Sequence, residues 1–265
     1  MTVRKSERFV KKFRRYFVLL SLILALILWH FLTLWLQLPA FILPPPALVW
    51  SRFLEALADG SLLNHSLITL FEVISGLILG AGLAIILGYG LAKVRWAEQL
   101  LSPYIIASQS IPVVAIAPLL IIWFKDGLLS KILIAALVVF FPILINTIVG
   151  IRSVPTDLYA LMRSLQANRW QTLRMLEIPA ALPVLLGGLR VGATLAVIGA
   201  VVGEFVGADQ GLGFLINVGR GLYDTALVFV AVITLVIMAM YLYGLVLLIE
   251  SRLLSWQRQS DQEFH

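Results

Sequence analysis

Two acidic residues, Glu72 and Glu204, lie inside long apolar stretches of this sequence. With them come amides and hydroxyls: Gln109 flanked by Ser108 and Ser110, and Asn146 beside Thr147. A charge at membrane depth is costly, so each carboxylate is expected to have a partner or a task. An amide offers donors and acceptors together, which suits contact with a polar solute. The competing use of such groups is hydrogen bonding between helices. Gln109, Ser110, Asn146 and Glu204 are the candidates for a substrate path. For Glu204 two readings stand side by side: it lines that path, or it caps backbone donors next to the glycine-rich stretch 207–213. Glu72 is expected to pair with a loop at the outer surface, and His30, between Trp29 and Phe31, reads as an interior hydrogen-bonding residue rather than a metal ligand.

Catalytic chemistry lacks its parts. No G-x-x-x-x-G-K-[ST] occurs, nor any Gly-Lys pair, so the chain cannot cradle nucleotide phosphates in a P-loop. H-E-x-x-H and G-x-S-x-G are absent as well, and with no cysteine there is neither a thiolate metal site nor a thiol nucleophile. The chain is therefore expected to be no enzyme, and to hold no metal and no cofactor of its own.

The elements that must position these polar groups are set by hydrophobicity. Of 265 residues, 61% are hydrophobic and only 13% charged, with a mean hydropathy of +0.99. That excludes disorder and a soluble domain with one modest core. About 20 apolar residues are needed to cross a bilayer as a helix. Six stretches qualify, near 17–37, 67–92, 100–124, 132–149, 184–206 and 226–249. The third contains Pro103, Pro112 and Pro118, so a kinked or interrupted helix is expected there. The first continues through Trp29, Phe31 and Trp35 without a small-residue cleavage site, which makes it a retained span rather than a secretory signal.

With the N-terminus in the cytoplasm, 16 of the 20 Lys and Arg residues fall on the cytoplasmic side, and only Arg52, Lys125, Lys131 and Arg220 fall outside. This asymmetry predicts both termini inside. The net charge of +6 is thus explained by topology, and no soluble basic surface remains for nucleic acid.

Between the first two spans, three prolines at 44–46 precede apolar residues at 49, 50, 53, 54 and 57, a helical spacing that predicts a short helix at the outer interface, ended by Asp59-Gly60. Gly76, Gly80, Ala84 and Gly88 repeat every four residues and predict close helix packing. Gly88-Tyr89-Gly90 has the look of a potassium filter but continues a helix.

The segment 152–183 is the most informative. After Pro155, with Thr156 as the expected cap and Asp157 in the first turn, Leu158, Leu161, Met162 and Leu165 share one helical face. A second helical piece through Trp170, Leu173 and Leu176 is expected to run to Pro179 and Pro183. So long an amphipathic excursion points to a docking partner; a helix pair lying on lipid headgroups is the alternative.

From Arg163 onward this segment resembles the EAA loop of permease subunits in ATP-binding-cassette importers. The loop's usual I-x-L-P ending falls on Leu176-Glu177-Ile178-Pro179. Ala160, Leu161 and Met162 replace its Glu-Ala-Ala, and Gln166 replaces its glycine. The resemblance spans about 43–256 and narrows to the nitrate, sulfonate, taurine and pyrimidine branch through Leu43-Pro44-Pro45-Pro46, Phe140-Phe141-Pro142-Ile143-Leu144-Ile145-Asn146-Thr147, Gly203-Glu204-Phe205-Val206-Gly207 and Gly211-Leu212-Gly213-Phe214-Leu215-Ile216. Val114-Ala115-Ile116-Ala117-Pro118-Leu119 is most similar to permeases for riboflavin or pyrimidine-type vitamin precursors.

The resemblance implies an all-α membrane protein of six transmembrane helices with the type I importer permease fold. It divides into a basic cytoplasmic segment 1–16, a permease domain 17–250 with coupling loop 152–183, and a cytoplasmic tail 251–265. It implies that Asp157, Leu158, Leu161, Met162, Leu165, Gln166, Ala167, Arg169 and Trp170 meet an ATPase subunit, which binds the ATP and Mg. It also implies a second permease copy as a homodimer, an extracytoplasmic solute-binding protein and a bacterial plasma membrane. A secondary transporter or channel is the rival, and would show internal repeats or more intramembrane charge.

Overall fold

The structure is a computed structural model describing residues 2–125 and 127–254, with side chains from residue 16 onward except 18 and 19. The basic side chains of 1–15 and the tail residues 255–265 lie outside the described residues. Every described element is helical: α1 (Thr2–Trp35), α2 (Pro46–Ala58), α3 (Ser61–Lys93), α4 (Arg95–Gln109), α5 (Val113–Phe124), α6 (Leu128–Arg152), α7 (Thr156–Ser164), α8 (Arg169–Thr172), a π-helical turn (Leu173–Glu177), α9 (Ile178–Val206), α10 (Leu212–Gly221) and α11 (Thr225–Leu253).

Among the described residues four helices are long and apolar enough to cross a membrane: Ser61–Lys93, Leu128–Arg152, Arg169–Val206 and Thr225–Leu253. The pair α4 and α5 makes a fifth if taken as one broken span, bent by 96°. The first expected span falls on α1, whose described apolar part, Leu20–Trp35, is shorter.

The break in the third stretch is the expected interruption, and one proline of three makes it. Pro103 sits within α4 and Pro118 within α5, both in continuous helix. Pro112 caps α5 in extended backbone (φ −66°, ψ 120°), while Ser110 and Ile111 N–H donate to the Ala107 and Ser108 carbonyls three residues back, tightening the last turn of α4.

Two compact units divide the chain, residues 1–62 with 216–231, and residues 63–215 with 232–265. In the first, the helix predicted after the triple proline is α2, with Pro46 at its first position and Asp59 as C-cap. Trp29 Nε1 donates to the Pro44 carbonyl and its ring stacks on Phe229 at 5.1 Å. Arg52 Nε donates to Asp224 at 2.8 Å and Nη1 to Glu55 at 3.0 Å, tying α2 to the turn before α11. His30 is exposed rather than interior, a correction to its sequence reading: it lies on a face of α1 that carries exposed Leu26, Ile27 and Phe31.

In the second unit α6 is the central helix, with α3 and α9 against it. The stripe predicted on α3 meets α6 where expected. A Cβ on Gly76 would strike Ala135, one on Gly80 the Ala136 carbonyl, and one on Gly88 the Thr147 side chain. Gly188, Gly192 and Gly199 of α9 meet Asn146, Ile143 and Ala135 of the same helix. Small residues permit this backbone approach where hydrophobicity cannot drive association. Gly80→Ala is expected to destabilise the protein by about 2 kcal/mol, because its methyl would sit 2.5 Å from a backbone oxygen. Gly82→Ala, which meets open space, is expected to be neutral or slightly stabilising. Thermal unfolding of the two variants in detergent checks this ordering.

Candidate functional site

Three arrangements carry the polar and docking residues. The first is the loop 152–183. Pro155, not Thr156, holds the N-cap of α7, and Thr156 is its first helical residue with no side-chain cap, because the fixed φ of proline already presets the start. Asp157 sits in that first turn, where a carboxylate complements the helix dipole. The apolar residues of α7 remain open: Leu158 is exposed, Met162 half-buried, Leu161 52% and Leu165 67% exposed.

The loop then turns sharply. Gln166 adopts φ +55°, with its N–H on the Arg163 carbonyl and the Ala167 N–H on the Met162 carbonyl at 3.0 Å. This is a Schellman ending, whose left-handed position favours glycine. The residue that replaces glycine in the sequence therefore keeps the conformation glycine would take. Gln166→Gly is expected to stabilise the fold by about 1 kcal/mol by removing the Cβ strain, read as a raised melting temperature; a lowered one would contradict it. Asn168 next caps α8, accepting from Gln171 N at 2.8 Å while the Gln171 amide oxygen accepts from Asn168 N at 2.8 Å. Arg169 and Trp170 open α8, both exposed, and Ala167 is half-buried.

The second helical piece does not stop at Pro179 and Pro183, as the sequence reading expected. α8, the π-helical turn and α9 form one helix of 38 residues, Arg169–Val206. Pro179 is the second residue of α9, directly after the π-helical turn, whose change of register accommodates a residue without an N–H. At that turn Glu177 is buried, and its carboxylate accepts from the Tyr89 hydroxyl at 3.0 Å and from Lys93 of α3. Tyr159 of α7 faces the same carboxylate; burial first, and the Glu177 charge second, push its phenol up to about 12, so it stays a proton donor across the physiological range. Sequence reasoning missed this cluster. A lone acid beside Ile178-Pro179 and a Tyr-Lys pair four residues apart were its only signals.

The second arrangement surrounds Glu204, which is fully buried. Its carboxylate accepts from Thr69 Oγ1 at 2.6 Å and from the Gly213 N–H, and Thr69 Oγ1 in turn accepts from Leu212 N at 2.8 Å. His65 Nδ1 accepts from Gly211 N at 2.9 Å. Gly211 (φ +110°) and Gly213 pass so close that a Cβ on either would strike the Glu204 carboxylate. Of the two readings of Glu204, this geometry is the capping of backbone donors. Glu72 is buried beside it, with the Lys131 charge nearby; it faces this carboxylate rather than an outer loop. Burial on both sides of the helix made this pairing, and a sequence shows no such cross-helix neighbour.

The third arrangement is a cavity of about 350 Å³ at the broken span, lined by Ser108, Gln109, Ile116, Phe141, Pro142 and Leu195 among others. Ser110 is exposed at the break itself. Asn146 lies one turn below Pro142, its Nδ2 donating to the Pro142 carbonyl at 2.8 Å. Because Pro142 has no N–H, the carbonyl of Val138, also on the lining, lacks its helical donor. Gln109 and Asn146 are thus placed around one proline-disturbed stretch of α6, and Glu204 is apart from them.

Residues 76–255 match the family described as binding-protein-dependent transport system inner membrane component. The chain is 53% identical over 237 residues to the riboflavin transport system permease protein RibX of Chloroflexus aurantiacus, covering 89% of this chain and 88% of that one. It is 34% identical to a putative aliphatic sulfonates transport permease protein of Bacillus subtilis, over 84% of this chain and 80% of the relative. It is 32% identical to the formylaminopyrimidine transport permease protein ThiX of Halalkalibacterium halodurans, over 83% and 87%. Among solved structures, the MetNI methionine ABC transporter in an inward-facing form matches with TM-score 0.63 at 20% identity, covering 74% of this chain and 97% of that one. An amino acid ABC transporter matches with TM-score 0.59 at 17% identity, covering 76% and 98%. The chain belongs to the binding-protein-dependent transport system inner membrane component family, as a multi-pass permease subunit of an ABC importer in the bacterial plasma membrane.

Proposed function

We propose that this permease translocates riboflavin, delivered by an extracytoplasmic solute-binding protein and driven by a separate ATPase subunit that binds the ATP and Mg. The observation that carries this reading is 53% identity over 89% of the chain to a riboflavin permease. The likeness to a formylaminopyrimidine permease supports a second reading, a pyrimidine-type vitamin precursor. Both cargos are polar heterocycles. Sulfonate, taurine or nitrate is a further cargo in the same class of importer, and the lower identity of the sulfonate relative sets it behind the other two.

In this reading six spans cross the membrane with both termini inside, and two copies form a homodimer, so that twofold symmetry presents two loops 152–183 to two ATPase subunits. The exposed apolar face of α7, with Asp157, Gln166, Ala167, Arg169 and Trp170 around it, is the ATPase contact. Closure of the ATPases on ATP pushes this loop and swings the spans between outward-facing and inward-facing states. Gln109, Ser110 and Asn146 line the substrate path at the broken span, and Phe141 offers a ring face to a flat cargo. Glu204 anchors the 207–213 loop.

Proteoliposomes holding the permease, its ATPase and its binding protein are expected to accumulate radiolabelled riboflavin in the presence of ATP, with excess unlabelled riboflavin abolishing the signal and taurine leaving it unchanged. Competition by formylaminopyrimidine alone would move the assignment to the second reading, and competition by taurine to the third. Gln109→Ala is expected to lower riboflavin uptake about 10-fold, by removing one specific polar contact, with no loss of ATPase assembly.

A further inference from the structure

The Glu177 cluster joins three separate pieces of chain: α3 through Tyr89 and Lys93, α7 through Tyr159, and the entry of α9 through Glu177 itself. Glu177 is 2% exposed, and Lys93 Nζ lies 5.4 Å from the Tyr89 ring centre and 5.3 Å from that of Tyr159. A buried carboxylate that accepts a phenol and an ammonium and faces a second phenol fixes the relative position of all their helices, because separating them would leave a buried charge unpaired. Elsewhere on α7 the polar side chains bond within the helix: Arg163 Nε donates to the Tyr159 carbonyl and Ser164 Oγ to that of Leu161. The carboxylate also sits at the end of a π-helical turn, an element frequent at functional hinges.

We propose that Glu177 is a positioning residue that relays movement of α7 to the membrane helices α3 and α9, with Tyr159 as its contact on the moving helix. This rests on the reading that an ATPase seats on α7. The exposed apolar residues of α7 take the push, and the cluster reached through Tyr159 converts a displacement of a nine-residue surface helix into a displacement of two spans. Without the cluster, α7 would move on its flanking turns, the Schellman ending at Gln166 and the bend at Ser153, and the spans would not follow.

The test uses the assembled complex of permease and ATPase. Because the chain has no cysteine, a single Leu87→Cys on the exposed side of α3 carries a spin label or fluorophore. Trapping the ATPase with ATP and vanadate is expected to shift the label signal in the otherwise native chain. With Tyr159→Phe, which removes one oxygen atom, or Glu177→Gln, which removes the charge and keeps the shape, ATPase co-elution and basal hydrolysis are expected within about twofold of native. The nucleotide-dependent shift and the solute moved per ATP are expected to fall about 10-fold, within the range of ordinary coupling free energies. Should Glu177→Gln fail to assemble, Tyr159→Phe decides alone.

A native-sized shift with Tyr159→Phe overturns the relay, as does a lowered melting temperature with transport per ATP unchanged, which is what a merely structural cluster would give. Loss of co-elution with Tyr159→Phe would make Tyr159 part of the docking surface and also overturns it. Failure of the native chain to bind an ATPase at all would defeat the functional reading first, and the relay with it.

Discussion

Leu161→Asp or Leu165→Asp is expected to abolish copurification of the ATPase subunit while leaving membrane insertion and thermal stability of the permease unchanged. Leu161 is 52% and Leu165 67% exposed, so neither residue holds the permease fold together. Their apolar area is available to a partner, and a carboxylate placed in the centre of such a contact must be desolvated without a counter-charge. Burying an unpaired charge costs several kcal/mol, and central apolar anchors contribute about 2 kcal/mol or more each. A loss of at least about 100-fold in affinity follows. Asp157→Asn, at the rim of the same helix, is expected to change affinity about twofold at most, since exposed charges contribute little. A pull-down in which Leu165→Asp retains the ATPase at native yield would remove the docking face from α7.

Glu204→Ala carries the second largest expected effect, on stability rather than assembly. The Glu204 carboxylate accepts the buried Gly213 N–H and the Thr69 hydroxyl, and the backbone at 211–213 is shaped around it, with Gly211 and Gly213 leaving no room for a Cβ. Thr69 has the His65 carbonyl at 3.1 Å as a second acceptor, so the loss concentrates on the orphaned Gly213 N–H and on the void. Together these are expected to destabilise the protein by about 3 kcal/mol. Glu204→Gln keeps the shape and one carbonyl acceptor and is expected to lose about 1 kcal/mol. Thermal unfolding in detergent orders the two, and limited proteolysis should open the 207–213 loop in Glu204→Ala first. Native stability of Glu204→Ala combined with lost riboflavin uptake would instead place Glu204 on the substrate path.

How far the sequence revealed all this depends on the range of the interaction. The α2 helix, the packing stripe on α3 and the break in the third stretch are local or periodic, and each was legible: prolines at 44–46, small residues every four positions, and Pro112 after Ser110. The apolar face of α7 was legible for the same reason. Its opening was not read correctly, because Pro155 rather than the hydroxyl of Thr156 sets the start. Pro179 and Pro183 misled as helix terminators: Pro179 directly follows a π-helical turn, whose change of register accommodates a residue without an N–H, and Pro183 lies inside the continuous α9. The neighbours of Glu72, Glu204 and Glu177 stand 132, 135 and 84 residues away in the chain, so only the packing of the helices could reveal them. Gln109 of the third stretch was placed beside a cavity, while Glu204, grouped with it as a substrate-path candidate, accepts from the backbone of a loop.

The proposed function makes the loop 152–183 a lever driven by a separate ATPase. Its most direct test is riboflavin accumulation by proteoliposomes containing the permease and the binding protein, with the ATPase either present or omitted. Accumulation that requires both the ATPase and ATP is the expected result. Accumulation by the permease without any ATPase, sustained by a solute or ion gradient alone, would contradict the account and make the chain a secondary transporter.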